Sequence, residues 1–225
     1  MLKLIVFSFI AAVTFTSCNQ LFAQTKKAPA PKSDEQEWDD LQIFVPVEKQ
    51  VDLVLYGTLR FGRDVTHFVD ERVGAGLQFK VGKHFTFTPG YLYIGMQPVA
   101  GKFAHENRLW LDARGFFTYK GFIVQDRNMI ERRIFTAQPD TWRYRNRLRV
   151  EHWILKSHPK FTLLSSDEVF YDTAVKRWVR NRFQVGFGNQ FGKHVVGEIY
   201  YMKQNDAVSH PGYLNIIGTT VRVRL

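Results

Sequence analysis

The feature that most constrains this chain is a period-two alternation of charged and apolar side chains, repeated in segments of roughly ten residues with turn residues between them. Between residues 143 and 154, Arg143, Arg145, Arg147, Arg149 and Glu151 fall on one side of an extended chain, and Tyr144, Leu148, Val150 and Ile154 on the other. A helix would scatter those arginines around its circumference, whereas a strand collects them on one face. The same division separates Arg108, Trp110, Asp112 and Arg114 from Leu109, Leu111, Ala113 and Phe117. It recurs with Arg182, Gln184, Gly186 and Gly188 against Phe183, Val185 and Phe187, and with Thr220, Arg222 and Arg224 against Val221, Val223 and Leu225.

Ten strands follow, at about 51–63, 67–80, 85–95, 104–118, 122–136, 141–155, 161–172, 179–190, 195–204 and 213–225. Leu41, Ile43 and Val45 alternate like a further strand, which keeps twelve as the alternative. Tight connections at 82–84, 120–121, 157–159 and 192–194 alternate with longer or more polar ones at 97–102, 138–141, 173–178 and 205–212. Short turns on one side and longer loops on the other belong to antiparallel up-and-down transmembrane β-barrels, with the short turns toward the periplasm. An even strand count would put both ends of the barrel on that side.

A soluble β-sandwich or lipocalin-like barrel has the same period with its apolar face turned inward. Export argues for the membrane. Residues 1–23 read as a charged start, an apolar run from 4 to 15 and a small, polar cleavage region, the layout of a secretory signal. That run of about a dozen residues is short of the roughly 20 that a membrane helix needs. Ordinary cleavage after Ala23 is preferred to lipidation of Cys18 within Phe15-Thr16-Ser17-Cys18. Cys18 is the only cysteine, so either outcome leaves no thiol for disulfide, metal or nucleophile chemistry. Residues 24–37 are rich in Lys, Ala, Pro and acid and read as a flexible lead-in to a single barrel domain over 38–225. Aromatic residues near the predicted strand ends (Phe61, Phe68, Tyr119, Phe122, Tyr171, Phe191, Tyr213) suit two interfacial girdles.

The alternating segments at 106–114 and 143–151, with Asp167-Glu168-Val169-Phe170, the early Trp38 and the late Tyr200-Tyr201-Met202-Lys203-Gln204, resemble domain-of-unknown-function family 2490, a group of predicted outer-membrane barrels. The resemblance covers most of the chain after Glu37. It implies a fold and a bacterial outer-membrane location, and it brings no activity with it.

The inward face carries the distinctive chemistry: Arg108, Arg114, Arg127, Arg133, Arg143, Arg145, Arg147, Arg149, Arg180, Arg182, Arg222 and Arg224, with Asp112, Glu131, Glu151, Glu168, Asp172 and Glu198. Charges confined in a small barrel must pair, because an unpaired buried ion costs several kcal/mol. A salt-bridged plug is the structural reading, with Glu168 expected to come near Arg147 and Arg149 on the neighbouring strand. A narrow lumen whose arginine excess attracts anions is the functional one. The net charge of +10 is spread through alternating strands and forms no basic block, which argues against nucleic-acid binding.

An enzyme would need a nucleophile and a base. His152 with Ser165 or Ser166 across the 157–159 turn makes a lipid hydrolase the alternative function. His84, His158 and His194 share the short-turn side without metal-ligand spacing, and no phosphate-binding glycine loop is present. Gly186 and Gly188 leave room for long arginines of neighbouring strands. The sequence thus points to a monomeric, non-enzymatic barrel without metal or cofactor. Its partners would be outer-membrane lipids and, for insertion, the barrel-assembly machinery.

Overall fold

A computed structural model describes residues 32–136, 138–155 and 158–225, so the predicted signal and most of the predicted lead-in lie outside the described residues. The strands are β1 (Ser33–Glu48), β2 (Val51–Gly62), β3 (His67–Val81), β4 (Phe85–Val99), β5 (Lys102–Tyr119), β6 (Phe122–Phe135), β7 (Thr141–Leu155), β8 (His158–Asp172), β9 (Arg177–Phe191), β10 (Val195–Asp206) and β11 (Tyr213–Arg224). Each pairs with its sequence neighbours in antiparallel fashion, and β1 closes the barrel against β11. Eleven strands, at about 4.8 Å spacing and tilted by about 40°, give a backbone cylinder about 22 Å across.

β2 to β11 coincide with the ten strands read from alternation. The eleventh is β1, which takes in the Leu41, Ile43 and Val45 repeat and starts at Ser33, inside the stretch expected to be a flexible lead-in. Closure by an odd strand is parallel, with Trp38 opposite Gly218 and Phe44 opposite Arg224. This corrects the expectation that both barrel ends meet on the short-turn side. Ser33 starts at the end carrying connections 63–66, 100–101, 136–140, 173–176 and 207–212, whereas Arg224 finishes at the end carrying 49–50, 82–84, 120–121 and 192–194. The seam is stitched by Thr219 Oγ1, which donates to Asp39 Oδ1 at 2.5 Å, and by Leu225 N, which donates to the Phe44 carbonyl at 3.0 Å.

The tight turns follow from their residues. Lys120 and Gly121 both have positive φ, 45° and 87°, which is the two-residue hairpin geometry that favours glycine at its second position. The expected loop at 97–102 shrinks to Ala100 and Gly101, because β4 and β5 continue to Val99 and from Lys102.

The barrel is polar inside and apolar outside. Leu55, Leu77, Leu111, Leu148, Leu163, Val185 and Ile199 are exposed on the outer wall. Toward the long-loop end Phe68, Trp142, Trp178 and Tyr213 are exposed, and toward the short-turn end Phe85, Phe117, Tyr119, Phe122 and Phe191. An apolar band between two aromatic girdles is a surface made for lipid, so the barrel is a membrane barrel. No helix among the described residues is long and apolar enough to cross a membrane.

Candidate functional site: the charged lumen

Strand parity decides which side chains enter the lumen. Two large aromatics lie flat against the inner wall, where glycines remove the side chains that would block them. A Cβ on Gly90 would come within 2.2 Å of the Trp110 ring, and one on Gly218 within 2.3 Å of the Tyr200 ring. Gly186 faces Tyr200, and Gly188 faces Thr162 and Glu198, so the room expected for arginines is taken instead by Tyr200, Thr162 and a carboxylate. Trp38, Tyr200, Met202, Leu214 and Ile216 form a small apolar core on the seam wall.

The remaining wall is occupied by ion pairs. Glu106, wholly buried on β5, accepts from Arg133 Nε and Nη2, both at 2.9 Å, and from Arg108 Nε at 2.8 Å. Arg108 also reaches Glu131 at 3.2 Å, and Glu131 accepts from Arg143 Nε at 2.6 Å and Arg145 Nη1 at 2.9 Å. Arg145 bridges onward to Glu168 at 2.7 Å. Glu168 also faces Arg127 at 3.7 Å and Arg182 at 3.8 Å. Asp112 collects Arg127 at 2.8 Å and both forks of Arg114, at 2.8 and 2.9 Å. One continuous network thus runs across β5 to β9, from the Arg133–Asp172 contact to Arg114. Bidentate guanidinium–carboxylate pairs of this kind fix both register and rotamer.

A second group crosses the lumen. Arg149 on β7 donates to Glu151 at 2.7 Å and to both oxygens of Glu198 on β10, at 2.5 and 3.2 Å, while Arg222 reaches Glu198 at 2.6 Å. Near the seam, buried Asp52 holds Lys80 at 2.7 Å and Arg224 at 2.8 Å. Arg180 pairs with Asp206. Phe170, also buried, has four guanidiniums over or beside its ring, those of Arg143, Arg145, Arg180 and Arg182, at 4.7 to 5.6 Å. Such contacts gain strength where water is excluded.

The arginines and acids expected in the lumen from alternation all lie on inward-facing positions, but their partners differ from expectation. Register sets Arg147 opposite Glu168, yet Arg145 takes that carboxylate, and Arg149 turns across the barrel to Glu198. Alternation missed Asp52, Asp70, Arg60, Arg72, Glu106 and Asp206. In β2 the inward face also carries Val54 and Tyr56, so its polarity contrast is weak. Glu106 could have been found, because it stands two residues before Arg108 on the same face.

These walls enclose a cavity of about 410 Å³. Its lining holds eleven arginines, those at 60, 72, 108, 114, 127, 145, 147, 149, 182, 222 and 224. Against them stand six carboxylates, those of Asp40, Asp112, Glu131, Glu151, Glu168 and Glu198. Glu106, Arg133, Arg143, Phe170, Arg180 and Asp206 lie outside its lining toward the long-loop end, where Arg133 pairs with Glu106 and Arg180 with Asp206. At the short-turn end the lining residues Glu151, Arg222 and Arg224 are partly exposed.

The alternative catalytic pair does not assemble. Ser166 is buried inside the lumen, whereas His152 packs at a tilt against Phe122 on the outer wall, ring centroids 4.2 Å apart. Ser165 shares the outer face but sits opposite Val150, two residues from His152 along β7, and no hydrogen bond joins the two among the described side chains. His84 and His194 each place Nδ1 against a main-chain carbonyl, of Phe116 and of Arg224, and the His158 side chain is outside the described residues. No group of metal-ligating residues occurs among the described residues.

One polar patch interrupts the apolar outer wall. Asp126 accepts from Asn128 at 2.9 Å and Asn146 at 2.8 Å, Tyr144 donates to Asn128 at 2.6 Å, and Asp167 accepts from Asn181 at 2.8 Å.

No curated protein shows significant sequence similarity to the chain. Among solved structures it is similar to an anion-selective porin from Comamonas acidovorans, at 8% identity and a TM-score of 0.41, covering 78% of this chain and 54% of the porin. The chain therefore spans about half the length of that protein. The family model described as "Protein of unknown function (DUF2490)" matches residues 35–215, which includes nearly every strand of the barrel and all of its central ion-pair network, and the chain belongs to that family.

Proposed function

We propose that this chain is a monomeric, non-enzymatic barrel of the bacterial outer membrane, exported by its N-terminal signal and inserted by the barrel-assembly machinery. Its lumen acts as a narrow path that prefers anions. The observation that carries the reading is the cavity lining, where eleven arginines outnumber six carboxylates. In a confined, low-dielectric passage such an excess raises the local concentration of anions and repels cations. The paired charges around the excess keep it in place, so selectivity and stability come from the same wall.

Purified protein in a planar bilayer under a salt gradient tests the proposal. A steady conductance with an anion-signed reversal potential is expected. Silence would assign the barrel a structural role, and a cation-signed potential would contradict the assignment of these residues to the conducting path. Hydrolysis of added phospholipid or lipopolysaccharide, lost in His152→Ala, would replace the non-enzymatic reading with that of a lipid hydrolase.

A further inference from the structure

Among the cavity arginines, Arg147 stands apart. Its neighbours each have a carboxylate partner: Asp112 for Arg114 and Arg127, Glu131 and Glu168 for Arg145, and Glu151 and Glu198 for Arg149. Arg147 has no carboxylate within salt-bridge distance among the described residues, and the residues outside them include no Asp or Glu. Its one polar contact is Nη2 donating to Gln125 Oε1 at 3.3 Å, and its Nε is buried without a partner. Arg147 is partly accessible at the lumen wall, but its Nε is shut off from solvent and no carboxylate offsets its charge, a cost that an anion seated against the guanidinium would relieve.

The surroundings complete a donor set. Ser166 and Gln184, both buried, line the same cavity one register step from Arg147, opposite each other on β8 and β9. No side-chain hydrogen bond engages either among the described residues. The planar fork of a guanidinium matches two oxygens of a tetrahedral oxyanion, and a hydroxyl and an amide supply further donors. The flanking Arg127 and Arg149 add positive field, although their own forks are engaged.

We infer that Arg147 is the anchor of an oxyanion-binding site inside the barrel, which accepts inorganic phosphate or the phosphate group of a compact solute entering from the short-turn end. The inference rests on the reading of the cavity as accessible to anions and names the class of anion it holds.

The test uses the full chain folded in detergent, titrated with inorganic phosphate at constant ionic strength in chloride and followed by calorimetry. Saturable binding is expected, weakened roughly ten- to hundred-fold in Arg147→Gln, since a hydrogen-bonded charge contributes about 1.5–3 kcal/mol. Arg147→Lys should retain part of the affinity, and Arg132→Gln, on the outer wall, all of it. A heat-modifiable gel shift verifies that each variant is folded. Glycerol phosphate binding as tightly as phosphate would point to an esterified ligand, and weaker binding to the free ion; both support the site. Absence of saturable binding to the wild type, or unchanged binding in folded Arg147→Gln, would overturn it. Conductance separates this outcome from the pore reading: with ten lining arginines left, Arg147→Gln should keep an anion-signed reversal potential whether or not phosphate binds.

Discussion

Glu131 is the point at which the lumen network is most exposed to a single change. The residue is 1% accessible and its carboxylate accepts from three arginines, of which Arg108 keeps Glu106 and Arg145 keeps Glu168 when Glu131 is neutralised. Arg143 has no second carboxylate within 4.0 Å among the described residues. Glu131→Gln therefore leaves one fully uncompensated guanidinium, and breaking a buried pair in this way costs about 3–5 kcal/mol. The partial losses at Arg108 and Arg145 place the expected value toward the upper part of that range. Equilibrium unfolding in urea, with the barrel in detergent micelles and tryptophan fluorescence as the signal, measures it. Adding Arg143→Met to Glu131→Gln removes the orphaned charge, so the double variant should be more stable than Glu131→Gln alone. A Glu131→Gln midpoint within about 0.5 kcal/mol of wild type, the range of an ordinary surface change, would refute the reasoning.

Three further outcomes follow from the same structure. Arg147→Met, alone among the lumen arginines, should raise the unfolding free energy, by about 1–3 kcal/mol in phosphate-free buffer, because it removes a charge that has no carboxylate; Arg149→Met, which strips Glu198 and Glu151 of a partner, should lower it in the same assay. On the outer wall, Asp126→Asn keeps an acceptor for Asn146 while removing a lipid-facing charge, so it should stabilise the barrel in lipid by up to about 2 kcal/mol, and a loss of stability would mean that this patch does not face hydrocarbon. In cells, the protein should fractionate with detergent-extractable outer membrane and show a heat-modifiable gel shift, and recovery as a soluble periplasmic protein would end the membrane assignment.

Much of this architecture was legible because the barrel writes its two faces into every second residue. β7 announces itself through four arginines at positions 143, 145, 147 and 149, and its ends were found where the alternation stops. What alternation cannot supply is parity of the whole: the single ambiguous segment containing Leu41, Ile43 and Val45 decides between an even and an odd barrel. It thereby also decides whether the two ends share a side. In β1 the apolar residues Trp38 and Phe44 point inward, which blurs the contrast that marks the other strands. Ion-pair partners were legible only in part. Arg114 and Asp112, two residues apart on one face, can be paired from sequence, whereas Arg149 and Glu198 meet across the lumen from β7 to β10, a contact that depends on barrel diameter and stagger and not on neighbouring strands. Gly186 and Gly188 were read as space cleared for arginines, but what fills it, Tyr200, Thr162 and Glu198, depends on side-chain directions that period two does not encode.

The central claim is that the charged face lines the lumen and the apolar face meets lipid. It is tested most directly by tryptophan quenching in bilayers with brominated acyl chains. Replacing Trp142, Trp153 and Trp178 by Phe leaves the lumenal Trp38 and Trp110, 3% and 8% accessible. Fluorescence of that variant should be nearly insensitive to bromine, and adding Leu148→Trp on the outer wall should restore strong quenching. Quenching of the variant that retains only Trp38 and Trp110, or a Leu148→Trp signal that bromine leaves untouched, would contradict the inside-out barrel.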